Sequence, residues 1–168
     1  MTKGANAMYK LIRAEKERYV FQQLFNEYVE ELGQYDAALL ETADRFGDYL
    51  PDEFNEFFHS PAKRPYVIKE GKEMVGIVVF SRAVKDDEDD ICDIYVEELY
   101  IAAPYRRRGI AAAVVEDYFA ENGGRTCGMC VYKENDGAVS FWEDFFTQRE
   151  IPQERLDAEN MWFYRAGL

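Results

Sequence analysis

Histidine is nearly absent from this sequence. One residue, His59, occurs among 168, so a His-based catalytic triad or a histidine-rich zinc site has almost nothing to draw on. It sits in a Phe-rich stretch, where an incidental role is expected. Cysteine is scarce as well: three residues are too few for the disulfide framework of a small secreted domain. Cys127 and Cys130 have the spacing of a redox motif. They fall in a segment that reads as a strand, where residues three apart face opposite sides at roughly 10 Å, beyond disulfide reach. Positive charge is in deficit, with 20 Lys and Arg against 33 Asp and Glu and a net charge of −13. A nucleic-acid partner is therefore not expected, because Lys and Arg supply the grip on a phosphate backbone. No apolar run reaches the length of a membrane span, and residues 1–7 lack the apolar stretch of a signal peptide. The expectation is a cytoplasmic protein with no membrane partner and no metal.

Hydrophobic residues make up 48% of the chain and aromatics 15%, enough for one substantial core. Residues 1–7 are expected to be a disordered tail and residues 8–168 a single domain. Met8–Arg13 alternates apolar and charged residues, as a short strand does. Phe21, Leu24, Phe25, Tyr28, Val29 and Leu32 recur at spacings of three and four, the apolar face of a helix ending near Gly33. Asp36–Tyr49 reads as a second helix, and Pro51–Pro65, with three prolines, as a loop holding at most a helical turn. Tyr66–Glu70 and Met74–Arg82 form a hairpin around Gly71-Lys72. The acidic run Asp86–Asp90 lacks the Gly and terminal Glu of an EF-hand loop and reads as a solvated hairpin tip. Ile91–Ile101 is a long strand, Arg108–Glu121 a helix stopped by Gly123-Gly124, and Arg125–Val131 a strand. Asp136–Phe146 is a helix, and two closing strands fall near Arg149–Leu156 and Asn160–Arg165. This order predicts a mixed α/β sheet in one domain.

One segment carries chemistry. A strand ending at Ile101 runs through a short turn into Arg106-Arg107-Arg108-Gly109-Ile110-Ala111-Ala112 at the start of a helix. A helix start offers unpaired N–H groups and the positive end of the dipole, a natural seat for phosphate. Gly109 lets an anion approach the backbone, and Ala111 and Ala112 keep the next positions small. Three consecutive arginines in an acidic chain need an explanation; a bound pyrophosphate supplies one, and a solvated basic helix start after a Pro turn is the alternative. Neither the Walker GK[ST] sequence nor GxGxxG occurs.

The stretch Glu98–Ala113 resembles the central motif of the GNAT acetyltransferases, Arg/Gln-x-x-Gly-x-Gly/Ala after a strand, with Arg106, Gly109 and Ala111 at its defining positions. Asn135, Ala138, Phe141 and Trp142 are similar to the family's second motif. The resemblance implies the GNAT-type acyl-CoA N-acyltransferase fold and acetyl-CoA as cosubstrate, with no metal. Acetyl-CoA would lie in a V-shaped gap between the long strand and Arg125–Val131. Leu99, Tyr100 and Ile101 would bond the pantetheine arm, Arg106 through Ala112 would hold the pyrophosphate, and Asn135 would sit near the pantetheine or thioester. A homodimer is left open.

Acetyl transfer to an amine needs a proton acceptor, a donor for the oxyanion and a route for the thiolate to leave. Glu97 is the candidate base, or else a strand-edge carboxylate that only binds or orients a cationic substrate. Simple strand alternation puts it on one face with Leu99 and Ile101, and Glu98 on the other with Tyr100; a β-bulge would undo that assignment. Trp142 stands where many relatives carry a Tyr acid, so Tyr132, Tyr105 or unaided departure of the thiolate must serve. The implied function is acetylation of an amine on a cationic small molecule or peptide, with Asp93, Glu97 and Glu98 on the acceptor side. The alternative is an acyl-CoA-binding sensor of the same fold that does not turn over.

Overall fold

The structure is a computed structural model that describes residues 8–83 and 92–168. The expected tail at residues 1–7 and the acidic tip Asp86–Asp90 lie outside the described residues. Seven strands form one sheet: β1 (Lys10–Arg13), β2 (Lys63–Glu70), β3 (Glu73–Arg82), β4 (Ile94–Ile101), β5 (Thr126–Tyr132), β6 (Gln153–Ala158) and β7 (Met161–Gly167). Their order is β1-β2-β3-β4-β5-β7-β6. All neighbours are antiparallel except β4 and β5, which a helical crossover joins in the way a parallel pair requires.

Four α-helices cover the sheet. α1 (Arg18–Leu32) and α2 (Pro51–His59) lie on one face, and α3 (Ile110–Asn122) and α4 (Asp136–Gln148) on the other. Along β3, Val75, Val78 and Phe80 join the α3/α4 core, while Ile77 and Val79 join the α1/α2 core. A strand apolar on both sides has to be sandwiched in this way. Gly76 is fixed by the closeness of β4, since a Cβ there would meet the Tyr100 carbonyl oxygen at 2.1 Å.

Two expected elements differ. Asp36–Tyr49 is not a second helix: only a 3-10 segment, Ala37–Thr42, forms. Asp44 then ends regular structure by accepting from the backbone of Phe46 and Asp48, the turn habit of aspartate. Conversely, Pro51–Pro65 is no loop, because α2 occupies Pro51–His59. Pro51 sits in the first turn, where its missing N–H costs nothing, and Phe54, Phe57 and Phe58 pack on Phe21 and its neighbours in α1. His59 ends this helix and is bonded only to the Asn55 carbonyl through its ring.

Candidate active site

β4 and β5 pair at Ile94↔Cys127 and Tyr95↔Gly128 and nowhere further along. Beyond those two pairs the strands diverge, giving the expected V-shaped gap between Val96–Ile101 and Met129–Tyr132. The Ala102 N–H donates to Val75 O at 2.8 Å. Strand alternation then turns the Tyr100 amide toward β3, and those of Leu99 and Ile101 into the gap. Of the three expected pantetheine partners, Leu99 and Ile101 thus offer backbone groups there. The Ile101 carbonyl is already held by Arg106 Nε at 2.6 Å.

The basic turn closes the wide end of the gap. Gly109 caps α3 with φ +77, and Arg107 also has positive φ, at +63. The first helical bond is from Ala113 N to Gly109 O, so the N–H groups of Ile110, Ala111 and Ala112 have no partner within the helix. Alternating backbone hands of this kind make an anion-binding concavity. The arginine side chains do other work. Arg106 spans from Ile101 to Glu31 of α1, at 2.7–2.8 Å to both carboxylate oxygens, and lies over the Tyr100 ring. Arg108 pairs with Glu70 at 2.8 Å. Arg107 is exposed. Asn135 caps α4, its side-chain oxygen accepting from Ala138 N at 3.1 Å, which explains an Asn three residues before an Ala.

Simple alternation fails at Glu97. Val79 pairs with Glu98 and Phe80 with Val96, leaving Glu97 as the extra residue of a β-bulge. Glu97 therefore does not share a face with Leu99 and Ile101. It lies on the α1/α2 side, where Lys63 Nζ and Ser81 Oγ (2.7 Å) both donate to it. Glu98 follows on that same side. The Tyr28 hydroxyl of α1 donates to it, and enclosure by protein pushes its carboxyl from the ordinary 4.5 up to about 7, with the Glu97 charge adding to the rise. Tyr132, at the end of β5, donates to Asp36 at 3.2 Å and stacks on Tyr35. Burial and Asp36 push its hydroxyl up to about 12. Tyr28 and Tyr100 form a second aromatic pair, 5.5 Å between centroids, and the Tyr100 hydroxyl approaches Glu27. This aromatic and acidic lining on α1 was missed in the sequence. The available signal was the Glu27-Tyr28 and Glu30-Glu31 pairs on a helix whose other face is apolar.

Other residues singled out in the sequence are placed as follows. Asp93 is not on the long strand: it lies before β4 and accepts from the backbone of Arg125 and Thr126 at the narrow end. Trp142 is buried, 4% exposed, and stacks with Phe146 within the α4 core. The Tyr105 hydroxyl approaches Glu73 at 3.5 Å and its ring lies under Arg108, whereas Tyr132 stands at the gap. Cys127 is buried and Cys130 exposed, as opposite faces require. Among the described residues no group of His, Cys, Asp and Glu is arranged to hold a metal, and no helix is long and apolar enough to cross a membrane.

Solved structures share this architecture. An acetyltransferase from Thermus thermophilus superimposes with TM-score 0.63 at 17% identity, covering 96% of this chain and 98% of that one. A spermidine N-acetyltransferase from Vibrio cholerae, in complex with CoA and spermine, gives 0.62 at 18% identity, covering 97% and 96%. A diaminobutyrate acetyltransferase from Paenibacillus lautus, in complex with L-2,4-diaminobutyric acid and coenzyme A, gives 0.59 at 17%, covering 95% and 93%. No curated protein matches significantly by sequence. The model of the acetyltransferase (GNAT) family matches residues 21–146, which include the splayed strands, the Gly109 turn and the capped helix α4. The chain belongs to that family and is an acyl-CoA-dependent N-acetyltransferase.

Proposed function

We propose that the protein transfers the acetyl group of acetyl-CoA to a cationic amine carried by a small molecule or peptide. The observation that carries this reading is the gap between β4 and β5, which runs from unpaired strand amides to the N–H groups at the start of α3. In this reading the pyrophosphate rests on the backbone from Arg107 to Ala112, and the pantetheine arm bonds Leu99 and Ile101. Arg106 braces the turn against α1, and Asn135 holds the start of α4 beside the gap. The amine enters from the α1 side, past Glu27, Glu31 and Asp36 and between the two tyrosine pairs. Carboxylates and aromatic faces both favour an ammonium group. The Vibrio cholerae and Paenibacillus lautus structures, whose ligands are small polycationic or diamino molecules, support the same class of acceptor.

Bound acetyl-CoA supplies the activated acyl group. Glu98 takes the proton from the ammonium, since a carboxyl near 7 is poised to accept at physiological pH. Glu97, the candidate from sequence, is tied to Lys63 and Ser81 and serves beside it. A gap-facing N–H of Leu99 receives the oxyanion. Tyr132 stays protonated, and its one hydroxyl proton is donated to Asp36, so it reaches the sulfur only by giving up that bond. A hydroxyl near 12 gives up its proton reluctantly to a thiolate of ordinary pKa about 8.5, so the thiolate leaves largely unaided. The test is release of free CoA thiol from acetyl-CoA with polyamines, diamino acids, amino sugars and a Lys-containing peptide. Turnover with a cationic amine supports the reading, and a neutral or anionic best acceptor defeats it.

A further inference from the structure

The bulge in β4 has an electrostatic result. Without it, Glu97 and Glu98 would face opposite sides of the sheet. With it, two adjacent carboxylates share the α1/α2 face. Such a pair resists double ionisation unless a cation compensates. Lys63 is that cation. It is the direct cross-strand partner of Ser81, and both side chains donate to Glu97, one to each oxygen. The Lys63 and Glu97 side chains are only 17% and 26% exposed, so water screens this pair little.

We propose that Lys63 and Glu97 act together as positioning residues for Glu98, with Lys63 fixing Glu97 as a charged, immobile neighbour so that Glu98 alone exchanges protons with the acceptor amine. The inference rests on the reading of Glu98 as the base. The groups that face Glu98 are Tyr28 from α1, Glu53 from α2, Lys63 from β2, Glu97 from its own strand and Tyr132 from β5. Tyr28 holds the ionised form by its hydrogen bond. Lys63 draws the Glu98 proton affinity down, and Glu97 and Glu53 push it up. Burial raises Glu98 most, and Lys63 and Glu97 oppose each other on top of it, so that with both present neither charge alone displaces the pH at which Glu98 becomes a base; neither touches the acceptor itself.

The experiment measures kcat/KM against pH for the wild type, Lys63→Met, Glu97→Gln, the double variant and Lys63→Arg, alongside a carboxyl-carbon NMR titration of Glu98 in each resting protein. Lys63→Met should move the acid limb to higher pH and Glu97→Gln to lower pH. The double variant should return toward the wild type, because opposite charges leave together, and Lys63→Arg should restore the wild-type limb. KM for acetyl-CoA should stay unchanged throughout. A merely structural pair would lower rates at every pH without opposite displacements. Both single variants moving the same way, or neither moving, overturns the proposal. Glu98→Gln separates this failure from failure of the base itself. If that variant keeps the acid limb, Glu98 is not the base and the positioning role falls with it. If Glu98→Gln loses the limb but Lys63→Met leaves it in place, only the positioning role falls. Where Lys63→Met folds poorly, the NMR titration of Glu97→Gln decides: Glu98 must titrate at lower pH than in the wild type, and an unmoved titration overturns the proposal.

Discussion

Replacing Glu98 with Gln should stabilise the fold at alkaline pH while removing activity. The folded protein holds the Glu98 carboxyl at about 7 against 4.5 for the free group, chiefly because enclosure disfavours the charge. Below 4.5 the group is neutral in both folded and unfolded chains, and it contributes no pH dependence. Between 4.5 and 7 the folded state binds more proton than the unfolded state, so stability falls as pH rises. Above 7 the full cost of an enclosed carboxylate is present. That interval corresponds to roughly 3 kcal/mol at full enclosure. Glu98 retains some contact with water, so about 1–3 kcal/mol is expected. Gln keeps an oxygen to accept from Tyr28 and bears no charge. Thermal melts of both proteins at several pH values are the assay. For a chain of this size the gain at pH 8 amounts to about 3–10 °C, vanishing below pH 4.5. The same substitution should cost about 100-fold or more in turnover. A melting difference that is independent of pH, or a less stable variant at pH 8, would refute the reasoning about Glu98.

Gly109→Val should abolish acetyl-CoA binding, because a branched side chain would stand over the N–H groups of α3. At φ +77 it should also cost the fold about 1–2 kcal/mol, read by chemical denaturation, and normal acetyl-CoA binding would place the anion site elsewhere. In the wild type, acetyl-CoA at a hundredfold excess over its Kd should add about 2.7 kcal/mol to stability, seen as a thermal shift. Trp142→Phe should keep most of the turnover, since Trp142 packs on Phe146 rather than facing the acceptor; its cost should fall below the roughly 3–5 kcal/mol of a full truncation. kcat/KM for a cationic acceptor should drop as salt rises, because the Debye length contracts from about 30 Å at 0.01 M to about 8 Å at 0.15 M; indifference to salt would remove steering by the acidic rim.

The sheet and the basic turn before α3 were legible because their signals are local: an apolar strand, a Pro turn, Gly109 before a run of alanines. α1 was legible from its Phe and Leu spacing. α2 was hidden by the prolines around it, although Pro51 marks a helix start and Phe54, Phe57 and Phe58 one apolar face. The segment after α1 looked helical from Ala37-Ala38-Leu39-Leu40, but the side chain of Asp44 and Gly47 at φ +81 turn the chain instead. The α1/α2 face of β4 was least legible. One unpaired residue in β4 reverses the face of Glu97, and nothing in the local sequence of a bulge announces it. The role of Lys63 depends on β2, β3 and β4 being paired in register, which brings Lys63 to Glu97, 34 positions away, across β3.

The proposed site puts acetyl-CoA in the gap between β4 and β5 with its pyrophosphate on the start of α3. A crystal structure of the protein with CoA is the decisive measurement. Pantetheine density should bond the backbone of Leu99 and Ile101, and pyrophosphate oxygens should fall within hydrogen-bond reach of the N–H groups from Gly109 to Ala112. CoA bound on another face, or pyrophosphate held away from Gly109 with the gap empty, would contradict it.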